Sequence, residues 1–329
     1  MRLPPYLVEA AEAEIDQVDG RRLAQAAIQI SQRYQAGDFS SPAISHDAHR
    51  AAYLATRLPA TYEVNERVFS EIRSLAPEAE IAGVLDLGAG PGTALFAAAE
   101  IFPALQRATL LETDDHWLSL GKKLGAQSPH SAARQAQWLK HDLRSGFSCD
   151  THDLVALSYV LGELNAAAAE AIVRKAWSCA RKFLAVIEPG TPRGFAVINA
   201  VRSALIAAGA EILAPCPHKH ACPMAAAGDW CHFAERVERT SRHRQLKGGA
   251  LGYEDEKFSY LVAGRERPKA LLPRILRHPG KRSGHIQLEL CMPEGRLESQ
   301  TITRSDKRAY RLARKAAWGD AWKNDAGEE

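Results

Sequence analysis

The central part of the chain alternates short apolar runs with segments of helical periodicity. The apolar runs lie at residues 84–87, 108–112, 138–142, 154–158 and 183–187. Their length and apolar content are typical of strands that are buried on both faces of a sheet. Between them, apolar residues recur at helical spacing, most clearly over 93–101 and 166–179. This alternation predicts an α/β fold with a parallel sheet that helices cover on both faces.

The segments on either side of this alternation carry different patterns. Over 7–76 the apolar spacing is helical, which predicts an N-terminal helical region that packs beside the main domain and either shapes substrate access or only packs. Pro59 is expected to kink or end one of its helices. Downstream, 258–263 and 285–290 alternate apolar and polar residues as strands do. We expect these two strands to close the sheet as its last hairpin, with 297–303 as a further strand.

The composition is that of an ordinary folded chain. Of its 329 residues, 46% are hydrophobic and 25% are charged, which is enough apolar material for a sizeable core. No apolar run approaches membrane-spanning length, and the first residues lack a signal-type apolar segment, so we expect a cytoplasmic protein. In a reducing compartment, metal binding, catalysis or burial explain cysteines better than disulfides do. Cys149 and Cys179 are therefore expected to be ordinary core or surface thiols.

A glycine-rich turn follows the first apolar run, at Gly88, Gly90 and Gly92. Glycines let the backbone approach a ligand closely, and the following helix directs free N–H groups toward it. The spacing Gly-x-Gly-x-Gly departs from the dinucleotide fingerprint and resembles the first motif of class I S-adenosylmethionine-dependent methyltransferases. That resemblance implies that the loop cradles the methionine end of the cofactor and that Asp86 helps to hold its amino group. The alternative is an ordinary turn between a strand and a helix.

Acids stand at the ends of the next two strands. Glu112 ends the second strand, where a carboxylate can accept two hydrogen bonds from a ribose diol. Asp114 is the nearby competitor for this role. Asp142 ends the third strand and is expected to meet the adenine amino group. Because the carboxyl ends of parallel strands lie at one edge of the sheet, these acids and the glycine turn are predicted to form one S-adenosylmethionine site.

The end of the fourth strand commonly carries the group that handles the substrate, and here it presents Tyr159 and Glu163. The Asn/Asp-Pro-Pro-Tyr motif of many amino-group methyltransferases is absent from the sequence. We regard Tyr159, which can stack on a base, and Glu163 as candidate catalytic residues. The alternative is that the tyrosine belongs to the core and that the acid is a helix N-terminal residue favoured by the helix dipole.

Four of the six cysteines form a sparse cluster in the last part of the chain. They are Cys216, Cys222, Cys231 and Cys291. Thiolates are soft ligands that suit zinc or iron–sulfur clusters. Structural zinc usually takes paired Cys-x-x-Cys knuckles, which this sequence lacks. Wide spacing with one distant ligand suits a cluster better, because the irons of a cluster present corners several ångströms apart.

Other interpretations of these cysteines stay open at the level of sequence. His218, His220 or His232 can replace a thiolate in a zinc site, and buried structural thiols would need no metal. Cys216 can also be a nucleophile, as in cytosine-C5 methyltransferases, although those enzymes carry the nucleophile on the main domain near the cofactor. We adopt metal binding by the four cysteines, with an iron–sulfur cluster preferred to zinc.

Basic residues concentrate near the C-terminal end of the chain. Those at helical spacing are Lys307, Arg308, Arg311, Arg314 and Lys315. A helix face with this density of positive charge is typical of a protein with a nucleic-acid partner, and each phosphate contact adds salt dependence to binding. The alternative is a solvated helix surface without a partner.

Several of these features together resemble one family. The glycine loop, the segment 188–192, the Cys-Pro pairs, Trp230-Cys231 and Leu290-Cys291 are similar to methyltransferase-like proteins of the mitochondrial ribosomal small subunit and their bacterial relatives. The resemblance implies a Rossmann-like class I methyltransferase sheet with an N-terminal helical region and a cysteine-containing insertion before the last strands. It also implies a 4Fe-4S cluster on the four cysteines and a role in small-subunit assembly or translation. From its charge, we expect the basic helix to contact the rRNA of that subunit.

This interpretation leaves two functions in competition. The first is methyl transfer from S-adenosylmethionine to small-subunit rRNA, with Tyr159 or Glu163 orienting a base. The second is a non-catalytic, RNA-binding assembly factor that uses the methyltransferase fold as a scaffold, and a weaker third possibility is a redox or iron sensor. The predicted division of the chain is 1–78 for the helical region, 79–210 for the cofactor-binding core, 211–303 for the cysteine-rich insertion and closing strands, and 304–329 for the basic helix and tail.

Overall fold

A group of helices precedes the first strand. The computed structural model describes residues 3–36, 46–247, 251–267 and 271–323. The first helices are α1 (Pro5–Ile15), α2 (Gly20–Ala36), α3 (Asp47–Thr56) and α4 (Leu58–Leu75). Their apolar faces share one core with the central sheet, as predicted. Pro59 lies in the first turn of α4, two residues after the C-cap of α3 at Arg57. Its missing N–H costs no hydrogen bond there, but a proline cannot continue α3, so the prediction that it kinks or ends a helix is confirmed.

The central sheet is mixed, with a parallel majority. Its strands are β1 (Gly83–Leu87), β2 (Arg107–Glu112), β3 (Gln137–Lys140), β4 (His152–Ser158), β5 (Ala180–Pro189), β6 (Glu211–Ala214), β7 (Phe233–Glu238) and β8 (Tyr253–Gly264). The strand order is β3-β2-β1-β4-β5-β8-β6, and β7 also pairs with β8. Strands β1 to β5 run parallel, whereas β8 is antiparallel to its neighbours. The predicted α/β class is confirmed.

Helices cover both faces of this sheet. They are α5 (Thr93–Ile101), α6 (Asp115–Ala126), α7 (Ser131–Arg134), α8 (Ala166–Cys179) and α9 (Pro192–Ala207). Strand β1 shows why two cores form, because Val84 packs into the core under the N-terminal helices while Leu85 and Leu87 pack into the core on the other face. The strand order reverses direction between β1 and β4, which opens a crevice beyond their carboxyl ends.

The last part of the chain forms a second, smaller sheet. Before it come two short helices, α10 (Pro223–Ala226) and α11 (Ser241–Lys247). The second sheet contains β9 (Arg274–Ile275), β10 (Gly280–Arg282), β11 (His285–Cys291) and β12 (Leu297–Thr303), and α12 (Lys307–Lys315) follows it. It has its own apolar core, to which α12 contributes Ala309 and Ala313. In the described residues, no helix has the length and apolar character that crossing a membrane requires.

The predicted closing hairpin does not form in this region. Residues 258–263 join the main sheet within β8, but 285–290 pair with 297–303 in the second sheet, so the two do not form a closing hairpin. Both edges of β8 are already occupied, by β5 on one side and by β6 and β7 on the other.

Cys149 and Cys179 are not the free thiols expected from the sequence but form a disulfide with a Cα–Cα distance of 6.4 Å. The parallel pairing of β4 with β5 places the two cysteines at the same end of the sheet.

Candidate functional site

A cleft opens at the carboxyl ends of the parallel strands, and we call it the strand-end cleft. Its cavity measures about 610 Å³. The sequence-predicted residues that line it are Asp86, Gly88, Gly90, Glu112, Asp142, Tyr159 and Glu163. Gly92 instead occupies the N-cap position of α5. The fold therefore brings the predicted cofactor and substrate residues to one cavity, as expected for a Rossmann-like sheet.

The glycine turn owes its shape to backbone conformations that favour glycine. Gly88 has a φ of 72° and Gly90 a φ of 53°, both in the left-handed region. A Cβ on Gly88 would lie 2.6 Å from Cγ2 of Val160, whereas one on Gly90 would meet nothing within 4 Å. The turn is thus closely packed at Gly88 and open toward the cleft at Gly90.

This contrast gives a testable prediction for Gly88→Ala. Gly209 is a matched control, since it follows α9 with a φ of 80° and a Cβ there meets nothing within 4 Å. Its N–H and that of Ala210 bond to the carbonyls of Ile206 and Leu205, which is the pattern of a left-handed residue at a helix C-terminus. Both alanines carry the left-handed strain of roughly 1–2 kcal/mol. Because Gly88→Ala also collides with Val160, we expect it to lose about 1–3 kcal/mol more unfolding free energy than Gly209→Ala. Urea denaturation measures the difference, and equal losses would contradict the packing described here.

Asp86 is a buried acid without a full set of partners. It is 1% exposed, and its Oδ2 atom has no hydrogen-bond partner among the described residues. Burial, reinforced by the nearby Glu112 carboxylate, raises the pKa of Asp86 to about 7. A cationic group bound in the cleft would supply the missing partner and favour the ionised carboxylate.

Glu112 fixes the glycine turn as well as facing the cleft. Its Oε2 accepts a hydrogen bond from the Gly90 N–H at 2.8 Å, and its Oε1 accepts from the N–H groups of Thr113 at 2.7 Å and Asp114 at 3.1 Å. The competitor Asp114 uses its side chain to cap α6, because Oδ1 accepts from the N–H of His116 at 2.7 Å. A ligand hydroxyl at Glu112 would therefore share a carboxylate that already orders the turn.

Asp142 is committed to a neighbouring arginine. The Arg144 guanidinium donates to Oδ1 at 3.0 Å from Nε and to Oδ2 at 2.7 Å from Nη2. These hydrogen bonds hold the pKa of Asp142 below its ordinary value. Asp142 still lines the strand-end cleft, but an adenine amino group would have to compete with Arg144 for it.

Tyr159 lies in the cleft wall with its hydroxyl turned toward an ion pair. Its backbone φ of 60° is the one positive value among the non-glycine residues of the described ranges. The hydroxyl lies 3.5 Å from Oε1 of Glu256, which pairs with both terminal nitrogens of Arg57 at 2.8 and 2.9 Å. Burial raises the pKa of Tyr159 well above its ordinary value. The phenol is therefore a protonated wall residue and is unsuited to act as a general base.

Glu163 is the acid of the cleft wall that stays a candidate catalytic residue. It sits in a short 3₁₀ turn over Leu161–Glu163. Burial, with a further contribution from Glu112, raises the pKa of Glu163 above its ordinary value. The turn is held by Glu188, which accepts hydrogen bonds from the N–H groups of Leu161 at 2.8 Å and Gly162 at 3.2 Å. The role of Glu188 was not predicted from the sequence, where its position at the end of β5 was the available signal.

The N-terminal helices also contribute to the strand-end cleft. Tyr53 of α3 and Thr61 of α4 line it, and Asn65 of α4 donates a hydrogen bond to Oγ of Ser158 at 2.9 Å. The Arg57–Glu256 ion pair ties the start of α4 to β8. Of the two roles expected for this region, it therefore has the packing role and also supplies part of the cleft wall.

The four clustered cysteines line a single pocket, which we call the cysteine pocket. Cys216 follows β6, Cys222 is the N-cap of α10, Cys231 precedes β7, and Cys291 ends β11. All four are free thiols, and the remaining lining is largely apolar. Segments that are far apart in the sequence thus bring all four cysteines to the lining of one pocket.

Electrostatics in the cysteine pocket favour neutral thiols when no metal is bound. Burial raises the pKa of Cys216, raises that of Cys231 well above its ordinary value and raises that of Cys291 to about 12, and neighbouring cysteines add to each shift. The buried guanidinium groups of Arg202 and Arg274 oppose the rise at Cys216 and Cys291. A metal would have to displace these protons, so its binding would release protons to solvent. Across the described ranges, no group of three or more His, Cys, Asp or Glu side chains is arranged to hold a metal ion.

Among the three histidines of this region, His218 makes the direct contact with a clustered cysteine. Its Nε2 lies 3.3 Å from Sγ of Cys291. His220 stacks beside His218 with ring centroids 5.8 Å apart, and His232 stacks on Trp230 at 5.2 Å. Burial lowers the pKa of His218 to about 4, with Arg202 contributing, so the imidazole is neutral near pH 7.

The predicted basic helix is present as α12. Its small residues Ala309 and Ala313 are buried against the second sheet, and the basic residues predicted at helical spacing are exposed. Lys281 of β10 donates from Nζ to the carbonyl of Arg314 at 2.8 Å, so β10 with Lys281 and Arg282 lies beside α12. We call the exposed basic residues of α12 and β10 together the basic surface.

The fold, together with the glycine turn at the strand-end cleft, has the architecture of one class of protein. A parallel sheet with an antiparallel β8 between β5 and β6, and a glycine turn after β1, is the Rossmann-like fold of class I methyltransferases. The structure of magnesium protoporphyrin IX methyltransferase from Synechocystis PCC 6803, solved with S-adenosylmethionine, is similar to this chain at a TM-score of 0.41 and 14% identity. The match covers 63% of this chain and 80% of that protein. The plantazolicin methyltransferase BpumL is similar at a TM-score of 0.38 and 11% identity, and the match covers 78% of this chain and 99% of that protein. These likenesses concern the fold alone.

Residues 47–323 match the family model described as mitochondrial small ribosomal subunit Rsm22. The match extends over most of the chain, which therefore belongs to the Rsm22 family. The human ribosome assembly protein METTL17, mitochondrial, is 28% identical over 82% of this chain and 61% of its own length. The Rsm22-cox11 tandem protein 2, mitochondrial, of Schizosaccharomyces pombe is 26% identical over 83% of this chain and 43% of its own length. The chain thus spans less than two thirds of either relative.

Proposed function

We propose that this chain is an assembly factor of the small ribosomal subunit that binds S-adenosylmethionine in the strand-end cleft and a 4Fe-4S cluster in the cysteine pocket. The observation that carries the proposal is the convergence of four separated thiols on one pocket of an Rsm22-family chain. The ribosomal role comes by analogy with the human relative, which is named as a ribosome assembly protein. Metal and sulfide analysis of oxygen-protected protein tests the cluster directly.

Three features of the strand-end cleft support S-adenosylmethionine as its ligand. The unpartnered Oδ2 of Asp86 suits the cofactor's ammonium group, and the open space at Gly90 suits close approach to its methionine end. Glu112 and Asp142 both line the cleft, and they would take the ribose hydroxyls and the adenine amino group respectively. When bound, the cofactor would supply an electrophilic methyl group. The chain's own residues would hold and orient it.

Four thiols, an apolar lining and two buried arginines support an anionic cluster in the cysteine pocket. Each thiolate of a cluster binds its own iron, so the sulfurs lie farther apart than those around one ion. Cys216, Cys222, Cys231 and Cys291 would be the ligands. Zinc bound by the same residues is the alternative, and it would require the sulfurs to close on one tetrahedral centre.

The basic surface supports RNA as the partner. Two arginines of α12, Arg308 and Arg311, replaced together by glutamine, are expected to weaken binding to a small-subunit rRNA transcript. Each lost phosphate contact lowers the slope of log affinity against log salt by roughly 0.7–0.9. A double variant on other exposed helices, Lys122→Gln with Lys175→Gln, is the matched control. Filter binding at several salt concentrations measures both, and an unchanged slope for the arginine variant would remove α12 from the interface.

Methyl transfer to small-subunit rRNA is a second candidate function. The observation that favours it is Glu163, an acid whose pKa burial raises and which lines the strand-end cleft. Calorimetry with S-adenosylmethionine, followed by mass mapping of rRNA from a deletion strain, separates the two functions. One lost methyl mark supports catalysis, whereas an unchanged methylation map with delayed subunit maturation supports the assembly factor.

The compartment is part of the proposal. The relatives are named as mitochondrial proteins, which differs from the cytoplasmic location expected from the sequence. By analogy with them, we propose that the chain works beside a small subunit of the mitochondrial type. Imaging of a tagged full chain tests this placement.

A further inference from the structure

Hydroxyl groups from three helices line the strand-end cleft. Tyr53 comes from α3, Thr61 from α4, and Thr93 is the first residue of α5. Thr93 is 5% exposed, and within the described ranges its Oγ1 has no hydrogen-bond partner. A buried hydroxyl without a partner is costly, so this position suits contact with a polar group of a ligand.

Tyr53 and Thr93 are the hydroxyls whose protons are available to a ligand. Thr61 already donates its proton to the carbonyl of Arg57 at 3.0 Å. Burial raises the pKa of Tyr53, and the nearby Arg57 guanidinium and threonine hydroxyls oppose the rise. The phenol is therefore protonated near pH 7 and lies beside both threonines. Because hydroxyl hydrogens rotate to suit their partners, Tyr53 and Thr93 can both turn toward an acceptor in the cleft.

The start of α5 adds main-chain donors at the same place. Its N-cap is Gly92, which has no side chain to occupy the free N–H groups. The first N–H groups of a helix have no partner within it, and they favour a negative charge. Thr93 and Ala94 of this first turn line the cleft. Together with the two hydroxyls, the start of α5 suits a carboxylate or a phosphate.

Asp86 decides between these two anions. Burial and the nearby Glu112 raise the pKa of Asp86, and the N–H of Leu95 in the first turn of α5 opposes the rise, which places this carboxyl beside the helix start. A phosphate bound there would carry its whole negative charge next to two acids. The α-amino acid end of S-adenosylmethionine instead carries an ammonium group beside its carboxylate, so it satisfies Asp86 and the donors at once.

We propose that Thr93 and Tyr53 bind the α-carboxylate of S-adenosylmethionine at the start of α5, with Asp86 on the adjacent ammonium group. This inference rests on the cofactor of the proposed function. It makes the two hydroxyls specificity-determining residues, because they stabilise a ligand only where it carries a carboxylate. Through Tyr53 of α3, the N-terminal helical region thereby completes the cofactor site.

The test compares two ligands on the full chain by isothermal titration calorimetry. Decarboxylated S-adenosylmethionine keeps the adenosine, the sulfonium and the ammonium group but lacks the carboxylate. We expect Thr93→Val, which keeps the shape of the side chain, to bind S-adenosylmethionine roughly tenfold to a hundredfold more weakly than wild type. Its affinity for the decarboxylated ligand should stay at the wild-type value. Tyr53→Phe, which keeps the ring packed against Trp117, should show the same selective loss.

Asp86→Asn is the matched control, because both ligands carry the ammonium group and both should bind this variant more weakly. Thermal unfolding without ligand checks the fold. Thr93→Val should unfold at the wild-type temperature or higher, since it removes a buried hydroxyl that has no partner in the described ranges.

Equal losses for the two ligands in Thr93→Val, or no loss for either, would overturn the inference. So would wild-type protein that binds the decarboxylated ligand as tightly as S-adenosylmethionine. Wild-type protein that binds neither ligand would instead remove the proposed cofactor itself.

Discussion

Cys222→Ser is expected to abolish the brown colour and the broad visible absorbance of anaerobically purified protein. Serine replaces a soft thiolate by a hydroxyl, a poor ligand for iron in a cluster. The substitution should leave the fold intact, because Cys222 is the N-cap of α10 and serine is a favoured N-cap residue. Iron and sulfide analysis then reports the loss of the cluster rather than the loss of the protein.

The disulfide supplies the matched control for this experiment. Cys149→Ser with Cys179→Ser removes the two cysteines that are bonded to each other outside the cysteine pocket. We expect this double variant to keep the colour and the iron content of the wild type. Colour that persists in Cys222→Ser, or colourless wild-type protein with stoichiometric zinc, would reject the 4Fe-4S assignment.

The strand-end cleft was the part of the molecule most open to prediction from sequence. Its residues lie directly after apolar runs, and the geometry of a parallel sheet gathers such positions at one edge. Asp86, Gly88 and Glu112 therefore meet as expected. Their pattern is local in sequence, so a single strand, turn and helix suffices to place each one.

Features that depend on long-range partners escaped prediction. The contact of Tyr159 with Glu256 depends on Arg57, which lies between α3 and α4, and no local pattern links the three. The pairing of β11 with β12 in a separate sheet was missed because alternation marks a strand without naming its neighbour. The Cys149–Cys179 disulfide was missed because the expectation came from the compartment and not from the proximity of the two loops.

The cysteine pocket and the strand-end cleft share structural supports. Trp230, next to Cys231, donates from Nε1 to the carbonyl of Gly190 at 3.2 Å, and Ser259 of β8 donates to the carbonyl of Cys231 at 2.8 Å. Two residues before Gly190, Glu188 holds the turn that carries Glu163 into the cleft. If the cysteine loops became disordered, the end of β5 would lose a contact, and with it the turn that carries Glu163 would lose support.

Asp86→Asn is expected to weaken S-adenosylmethionine binding by roughly tenfold to a hundredfold, because a hydrogen bond to a charged group contributes about 1.5–3 kcal/mol. The pKa of Asp86 near 7 adds a pH signature. Below pH 7 the free protein holds a protonated Asp86, which must lose its proton to pair with the cofactor's ammonium group. Wild-type affinity should therefore fall about tenfold between pH 8 and pH 6, and the variant should lose this dependence. Isothermal titration calorimetry measures both effects.

Two comparisons separate this effect from loss of fold or from a general charge effect. The folded-state pKa of Asp86 lies above its ordinary value, so its contribution to stability is lost as pH rises from about 4 through 7. Asp86→Asn, which carries no charge to bury, should unfold at pH 8 at the wild-type temperature or higher. Asp114→Asn changes an acid of the same cleft that caps α6, a role asparagine also fills, so its affinity should stay close to wild type. If Asp114→Asn weakened binding as much as Asp86→Asn, the ammonium group would not sit at Asp86.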